Sequence, residues 1–245
     1  MKNLKVWLLQ TGEPLLSDGS NIRSMRAINL AKMLTKEGHE VKIISSQFFH
    51  QKKYHRNNIN YKEKYIEEKL IWSPGYKRNI SLQRLIDHFI LSINLSIYLM
   101  KELSKRKPDI LFIGFPPVDW AFGAVLLSKI FKIKCIVDVK DLWPDLFFNK
   151  NHPGYKQLIL KSIFLPYTFY SYFIANNANA ICAPTIDMAM FFHSKYKNIF
   201  GPFFVNKSKS QYIFSAPIVP PFNSCSISPG VTSSNVAPSK SGGMK

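Results

Sequence analysis

Short apolar runs alternate with amphipathic stretches along most of the chain. Val6 to Leu9 is an unbroken apolar run and predicts a buried strand. It ends in the turn cluster Thr11-Gly12-Glu13-Pro14, and a second turn follows at Asp18-Gly19-Ser20-Asn21. Ala27, Leu30, Ala31 and Leu34 then recur at helical spacing. Gly38 stands where a helix commonly stops in the left-handed conformation. Another apolar run begins at Val41. Strand, glycine-bearing loop, helix and strand in that order predict a right-handed βαβ unit.

The same grammar continues. The polar stretch from Phe49 through Asn58 reads as a mobile loop, and Leu70-Ile71-Trp72 as a strand closed by Ser73-Pro74-Gly75. Ser81 is a candidate cap for a long helix with Ile86, Phe89, Ile90, Ile93 and Ile97 on its apolar face. Pro108 prevents its continuation. Strands are predicted from Asp109 to Gly114, at Cys135–Val139 and from Ala180 to Ala183, with helices at Val118–Ile130 and Tyr155–Asn177. Alternating strands and helices imply an α/β fold with a doubly wound, Rossmann-like parallel sheet. Beyond about Met190 no amphipathic period is visible, Asp187 is the last acidic residue, and Pro217 to Gly243 is crowded with Pro, Ser and Gly. The expected organisation is one domain at 1–187 and an irregular, disordered tail at 188–245, as in a truncated or frame-shifted chain.

Charge narrows the partners. Against 15 acidic residues stand 33 basic ones, a net charge of +18. That favours anionic ligands or an anionic membrane surface, although a basic composition alone is also common in proteins rich in Lys and Asn. No run of roughly 20 uncharged apolar residues predicts a membrane span, and the N-terminus does not read as a signal peptide. Cys135, Cys182 and Cys225 match no zinc or redox spacing, so no metal is expected.

Candidate chemistry lies at the strand ends, because open α/β sheets bind ligands beyond the carboxyl ends of their strands. The Gly12–Arg23 loop can present backbone N–H groups to an anion where the next helix starts, with Arg23 and Arg26 close enough to pair with phosphate. It is neither G-x-G-x-x-G nor a P-loop. Asp138, Asp141 and Asp145 cluster at the end of a later strand, where a carboxylate can hold a sugar hydroxyl or act as a base. Trp143 beside them is a candidate for stacking on a sugar or lipid acceptor; the plain alternative is that Asp141 caps a turn and Trp143 fills the core. The aromatic stretch from Leu158 to Ala175 is either a core helix or a surface that meets lipid headgroups.

Taken together, the stretch from Val6 to Leu15, Asp18-Gly-Ser-Asn-Ile-Arg-Ser-Met-Arg, Gly38-His-Glu-Val and Asp141-Leu-Trp-Pro-Asp resemble the N-terminal domain of family 4 glycosyltransferases, nearest to the branch that builds bacterial O-antigen and capsule. The resemblance covers roughly Met1 to Pro184. It implies the N-terminal half of a GT-B fold, two Rossmann-like domains facing a cleft, and a retaining transfer from a nucleotide-activated sugar with no cofactor or essential metal. It implies a catalytic-side role for Asp141. Gly12, Glu13, Gly19, Ser20, Arg23, Arg26 and Trp143 would be donor- or acceptor-binding residues. Many relatives carry glycine where this chain has Ser20. The family's second domain, with its paired glutamates, has no counterpart after residue 187. The implied partners are a nucleotide sugar, a lipid-linked saccharide acceptor, an anionic membrane surface and a separate donor-binding chain, at the cytoplasmic face of the inner membrane. The chain alone is expected to be inactive. Two other classes stand beside this reading: a non-catalytic membrane-associated recruitment module, and a nucleic-acid binder, against which count the scattered lysines and the absence of a recognition motif.

Overall fold

Alternation of side chains along each strand sorts the core into two layers. The structure, a computed structural model, describes residues 3–19, 23–57, 60–63, 65–145 and 154–197. In chain order the elements are β1 (Lys5–Leu9), α1 (Arg26–Lys36), β2 (Glu40–Ser46), β3 (Phe48–Phe49), β4 (Tyr54–His55), β5 (Asn60–Glu63), β6 (Ile66–Ile71), α2 (Leu82–Lys105), β7 (Ile110–Phe115), α3 (Val118–Ile130), β8 (Lys134–Val139), α4 (Gly154–Ile163), α5 (Leu165–Asn177), β9 (Ala180–Cys182) and α6 (Ile186–Lys197). The sheet order is β5-β6-β2-β1-β7-β8-β9, all parallel except the edge strand β5. The order reverses direction at β1, which places the loop after β1 at a topological switch point.

Trp7, Leu9, Ile113, Phe115, Val137 and Val139 point to one face, where α2, α3, α5 and α6 cover them. Val6, Leu8, Val41, Ile43, Leu70 and Ile110 point to the other, covered by α1. The strands read as continuous apolar runs because both faces of a parallel sheet are buried.

Four expectations change. The stretch after Phe49 is not simply a loop: β3 and β4 pair as an antiparallel hairpin, and Arg56 beyond it is buried. The long helix starts where its cap predicts, with Ser81 Oγ accepting from Arg84 N at 3.3 Å, but it turns the other way. Leu91, Leu95, Leu99 and Leu103 are buried, while Ile86, Phe89, Ile93 and Ile97 face outward. Both faces of α2 are apolar, so period alone does not choose between them. The leucine face is the one that meets the sheet and α3, where Gly123 admits Ser96: a Cβ there would lie 2.8 Å from the Ser96 Oγ. The single aromatic helix predicted from Tyr155 is two helices, separated near Pro166, which lies in the first turn of α5 and lacks an N–H. Its rings divide between core and surface: Phe164 is buried, Tyr170 is half-buried and stacks on Phe122 at 4.2 Å, and Tyr155 and Phe169 are exposed. Finally, the folded part runs past Asp187 through α6, whose Phe192 and Tyr196 are fully buried, Phe192 against Phe115. The rest of the expected tail, 198–245, lies outside the described residues.

Candidate functional site

At the carboxyl end of β1 the chain must leave the sheet and enter α1 without a capping side chain of its own. Met25, at the N-cap position, makes no side-chain cap bond. Glu13 caps the helix from the loop instead: its Oε2 accepts from Ala27 N at 2.9 Å. The other oxygen pairs with Lys140, which follows β8. The helix start was expected to hold a ligand's anion, but the anion there is the protein's own Glu13 carboxylate, 5% exposed. A negative group at a helix N-terminus is favoured by the unpaired N–H groups and the dipole.

The loop itself is fixed from three sides. Asp18 Oδ2 accepts from Leu15 N at 2.9 Å and closes a short 3-10 turn at Leu16–Asp18. Glu68, buried on β6, accepts from Leu16 N at 2.7 Å and Ser17 N at 3.1 Å. Arg56 forks onto Asp18 at 2.6 and 2.8 Å and donates to the carbonyls of Ser46 and Glu13. Gly12 and Gly19 both have positive φ, +76° and +114°, with open space where a Cβ would stand. These are the conformations that glycine adopts without strain. Gln51 adds a bond to the Gly12 carbonyl at 3.2 Å. Ser20 lies outside the described residues.

Beside this loop opens a cavity of about 640 Å³, bounded by Pro14, Arg23, Met25, Arg26, Phe49 and Lys52 among others, with no carboxylate in its lining. Arg23 is exposed. Arg26 spans two roles: its Nη2 lies 2.5 Å from Asp138 Oδ1, yet nearly half of its side chain is exposed. Burial pushes the Asp138 carboxyl upward, opposed by the Arg26 and Lys140 charges. Asp138 is fully buried and is therefore a holder of Arg26, not a surface carboxylate.

The three aspartates after β8 separate in the structure. Asp145 ties down α6, pairing with Lys195 and accepting from Tyr196 Oη at 2.6 Å. Asp141 is exposed and makes no hydrogen bond or ion pair among the described residues, which leaves it the free carboxylate at this strand end. Trp143 does not offer a stacking face. It is 5% exposed, lies in the core under the guanidinium of Arg84 at 4.9 Å, and has the His88 ring at 5.9 Å. Trp143 turns inward against Arg84 and His88 of α2. Among the described residues no three His, Cys, Asp or Glu side chains assemble as a metal site.

The structure thus brings Gly12, Glu13 and Arg26 together, with Arg23 on the rim of the same cavity. Sequence reasoning missed Arg56, Glu68 and Lys140, the side chains that fix the loop. Only their sign was visible; their partners come from distant elements.

Residues 24–199 match the sequence model of Glycosyltransferase Family 4. No curated protein matches the sequence. Among solved structures the chain is similar to Arabidopsis thaliana UGT89C1, with 12% identity over 93% of this chain and 53% of that one and a TM-score of 0.48. The UDP complex of the same protein aligns at 11% identity over 89% and 53%, TM-score 0.48. The catalytic domain of Starch Synthase IV from Arabidopsis thaliana, bound to ADP and acarbose, aligns at 13% identity over 57% and 34%, TM-score 0.39. The chain spans about half the length of the UGT89C1 structures that it matches.

Proposed function

Since the chain belongs to glycosyltransferase family 4, we propose that it supplies the acceptor side of a sugar transfer from a nucleotide-activated donor to a lipid-linked saccharide, in bacterial surface polysaccharide assembly. One observation carries this reading: a rigidly held glycine loop borders an open, cation-lined cavity at the switch point of the sheet. Glycosyl transfer needs the acceptor hydroxyl held against the anomeric carbon and the leaving diphosphate stabilised. Arg23, Arg26 and Lys52 are the charges available for an anionic substrate, and Asp141 is the free carboxylate for a sugar hydroxyl. In this reading the donor's nucleotide is bound mainly by a second domain, so transfer requires that domain in the same chain or in another.

The test is retention of labelled lipid-linked saccharide from membrane extract by the immobilised chain, with turnover measured on UDP- and GDP-sugars. We expect retention, an approximately tenfold loss in Arg26→Gln from one missing charge-assisted bond, and no turnover by the chain alone. Failure of the unaltered chain to retain any glycolipid would remove the acceptor-side reading. Turnover that vanishes in Asp141→Asn would instead assign the whole active site to this chain.

A second reading, a membrane-associated recruitment module, is favoured by the outer surface of the helical layer. Ile86, Phe89, Ile93 and Met100 of α2, Ile130 of α3, and Leu158, Ile163, Leu165 and Phe169 of α4 and α5 are all exposed. Lys101, Lys105, Lys129 and Lys161 are exposed on α2, α3 and α4. The acidic residues of these helices are Asp87 and Asp119, both buried, and Glu102, paired with Lys42. Apolar side chains with basic neighbours and no free carboxylate suit an anionic lipid surface. No described helix is long and apolar enough to cross a membrane. The chain is expected to sediment with vesicles containing anionic lipid, and Phe89→Glu/Ile93→Glu to weaken this by about tenfold or more, since each buried side chain of this size contributes about 1.5–3 kcal/mol. Equal binding by the double variant would remove this surface from consideration. Turnover or glycolipid retention distinguishes the two readings.

A further inference from the structure

A second cationic cluster lies between the β3–β4 turn and the start of α2, outside the lining of the Gly12 cavity. The stretch between β6 and α2 turns at Gly75, whose φ is +80° and whose Cβ position lies 2.7 Å from the Phe48 ring. The turn places Tyr76 inward, 5% exposed. Two cations converge on the Tyr76 ring. Lys53 Nζ, from the turn between β3 and β4, is 4.1 Å from its centroid, and the Arg84 guanidinium is 5.6 Å from it.

Neither cation is paired with a carboxylate. Lys53 Nζ donates to Asn79 Oδ1 at 2.6 Å and lies 3.2 Å from His50 Nδ1. Arg84 Nη1 donates to the Asn79 carbonyl at 2.9 Å. Asp87, the carboxylate of this region, is 2% exposed and its Oδ1 accepts from Gly75 N at 2.6 Å. Two buried nitrogens here have no hydrogen-bond partner among the described residues: Arg84 Nε and His88 Nδ1, the histidine itself being 5% exposed. A buried polar atom left unpaired is costly, and two of them beside two cations that touch no carboxylate, with Asp87 acting on Lys53 only from a distance, mark a place built for an anion.

We propose that Lys53, Arg84 and His88, framed by Tyr76 and Asn79, form a subsite for a phosphate or diphosphate group. It rests on the acceptor-side reading above and names the acceptor's feature: a phosphate linkage next to the sugar, as in a lipid-linked saccharide. The position fits. Arg84 lies over Trp143, two residues beyond the free Asp141. The hairpin turn that carries Lys53 also carries Gln51, which bonds the Gly12 carbonyl. A phosphate here and a sugar at Asp141 would be neighbours on one edge. Arg supplies a planar fork for phosphate oxygens, and Lys a compact charge.

The experiment is calorimetric titration of the full chain with inorganic pyrophosphate, repeated with UDP. Pyrophosphate is expected to bind. Lys53→Gln and Arg84→Lys should each weaken it about tenfold, the loss of one charge-assisted contact, while Lys36→Gln, exposed in the last turn of α1, leaves it unchanged. Lys53 is half-exposed, so its variant keeps the fold even if Arg84→Lys disturbs the contact with Trp143. Unaltered binding in Lys53→Gln and Arg84→Lys overturns the subsite, and so does binding that depends on Arg23 instead. UDP binding that needs Lys53 and Arg84 and competes with pyrophosphate assigns the site to the donor and overturns the acceptor assignment. Glycolipid retention is read separately, so the subsite can fail while the acceptor-side reading stands, and the reverse.

Discussion

Replacing Arg56 with methionine will destabilise the protein by about 3–5 kcal/mol, the cost of stranding one member of a buried ion pair. The side chains of Arg56 and Asp18 are 4% and 2% exposed. Without the guanidinium, Asp18 retains the Leu15 amide alone, and the carbonyls of Ser46 and Glu13 lose their donors. The contact of the guanidinium with the Phe49 ring, 4.4 Å from the centroid, goes too. Urea unfolding midpoints measure the loss. The double variant Arg56→Met/Asp18→Leu should recover part of it, because removing both charges leaves neither one desolvated and alone. A single-variant loss below about 1 kcal/mol would mean that the hairpin does not hold the Gly12 loop in place.

The second large effect is on pH dependence. Burial, reinforced by the Arg84 and His50 charges, lowers the His88 pKa to about 3. Burial, with Lys53 and Arg84, lowers that of His50 to about 4. In the unfolded chain both titrate near 6.5. Between these limits the unfolded chain binds protons that the folded chain refuses, so stability is complete above about pH 6.5 and falls as pH is lowered, by about 1.4 kcal/mol per unit for buried His88 and by less for the half-buried His50, which solvent screens. Asp119 acts oppositely: burial raises its pKa to about 6 from 3.8, so it regains stability as pH falls below 6. The net expectation is a loss of about 2 kcal/mol between pH 7 and pH 5. In His88→Gln the slope between pH 6.5 and 5 should be shallower by about one proton. An unchanged slope would show that His88 is not the buried neutral group the structure places there.

Much of the fold was legible because parallel strands buried on both faces write themselves as apolar runs, and Gly38 and Pro108 punctuate them. What was not legible depended on distant partners. The outward turn of α2 could not be read from period, since Ile86, Phe89, Ile93 and Ile97 are as apolar as the leucines that are buried. The hairpin after Phe49 looked like a solvated loop because its charge, Arg56, finds Asp18 only in three dimensions. The region of α6 lacked a visible period although Ala189, Phe192 and Tyr196 share one buried stripe, because Met190 and Phe191 beside them are equally apolar and exposed. At the candidate site, glycine conformation and the basic residues could be anticipated from composition and spacing. That Glu13 would occupy the helix start, or that Trp143 would turn inward, could not.

The helical layer on one side of the sheet also sets a height. If that face docks on a bilayer as proposed, α2, α3 and α5 hold the sheet about one helix diameter, 10–12 Å, above it. An acceptor anchored in a bilayer would have to extend its headgroup by that distance before its sugar came level with Asp141. The thickness of one helix would then act as a ruler, passing long headgroups and excluding short ones.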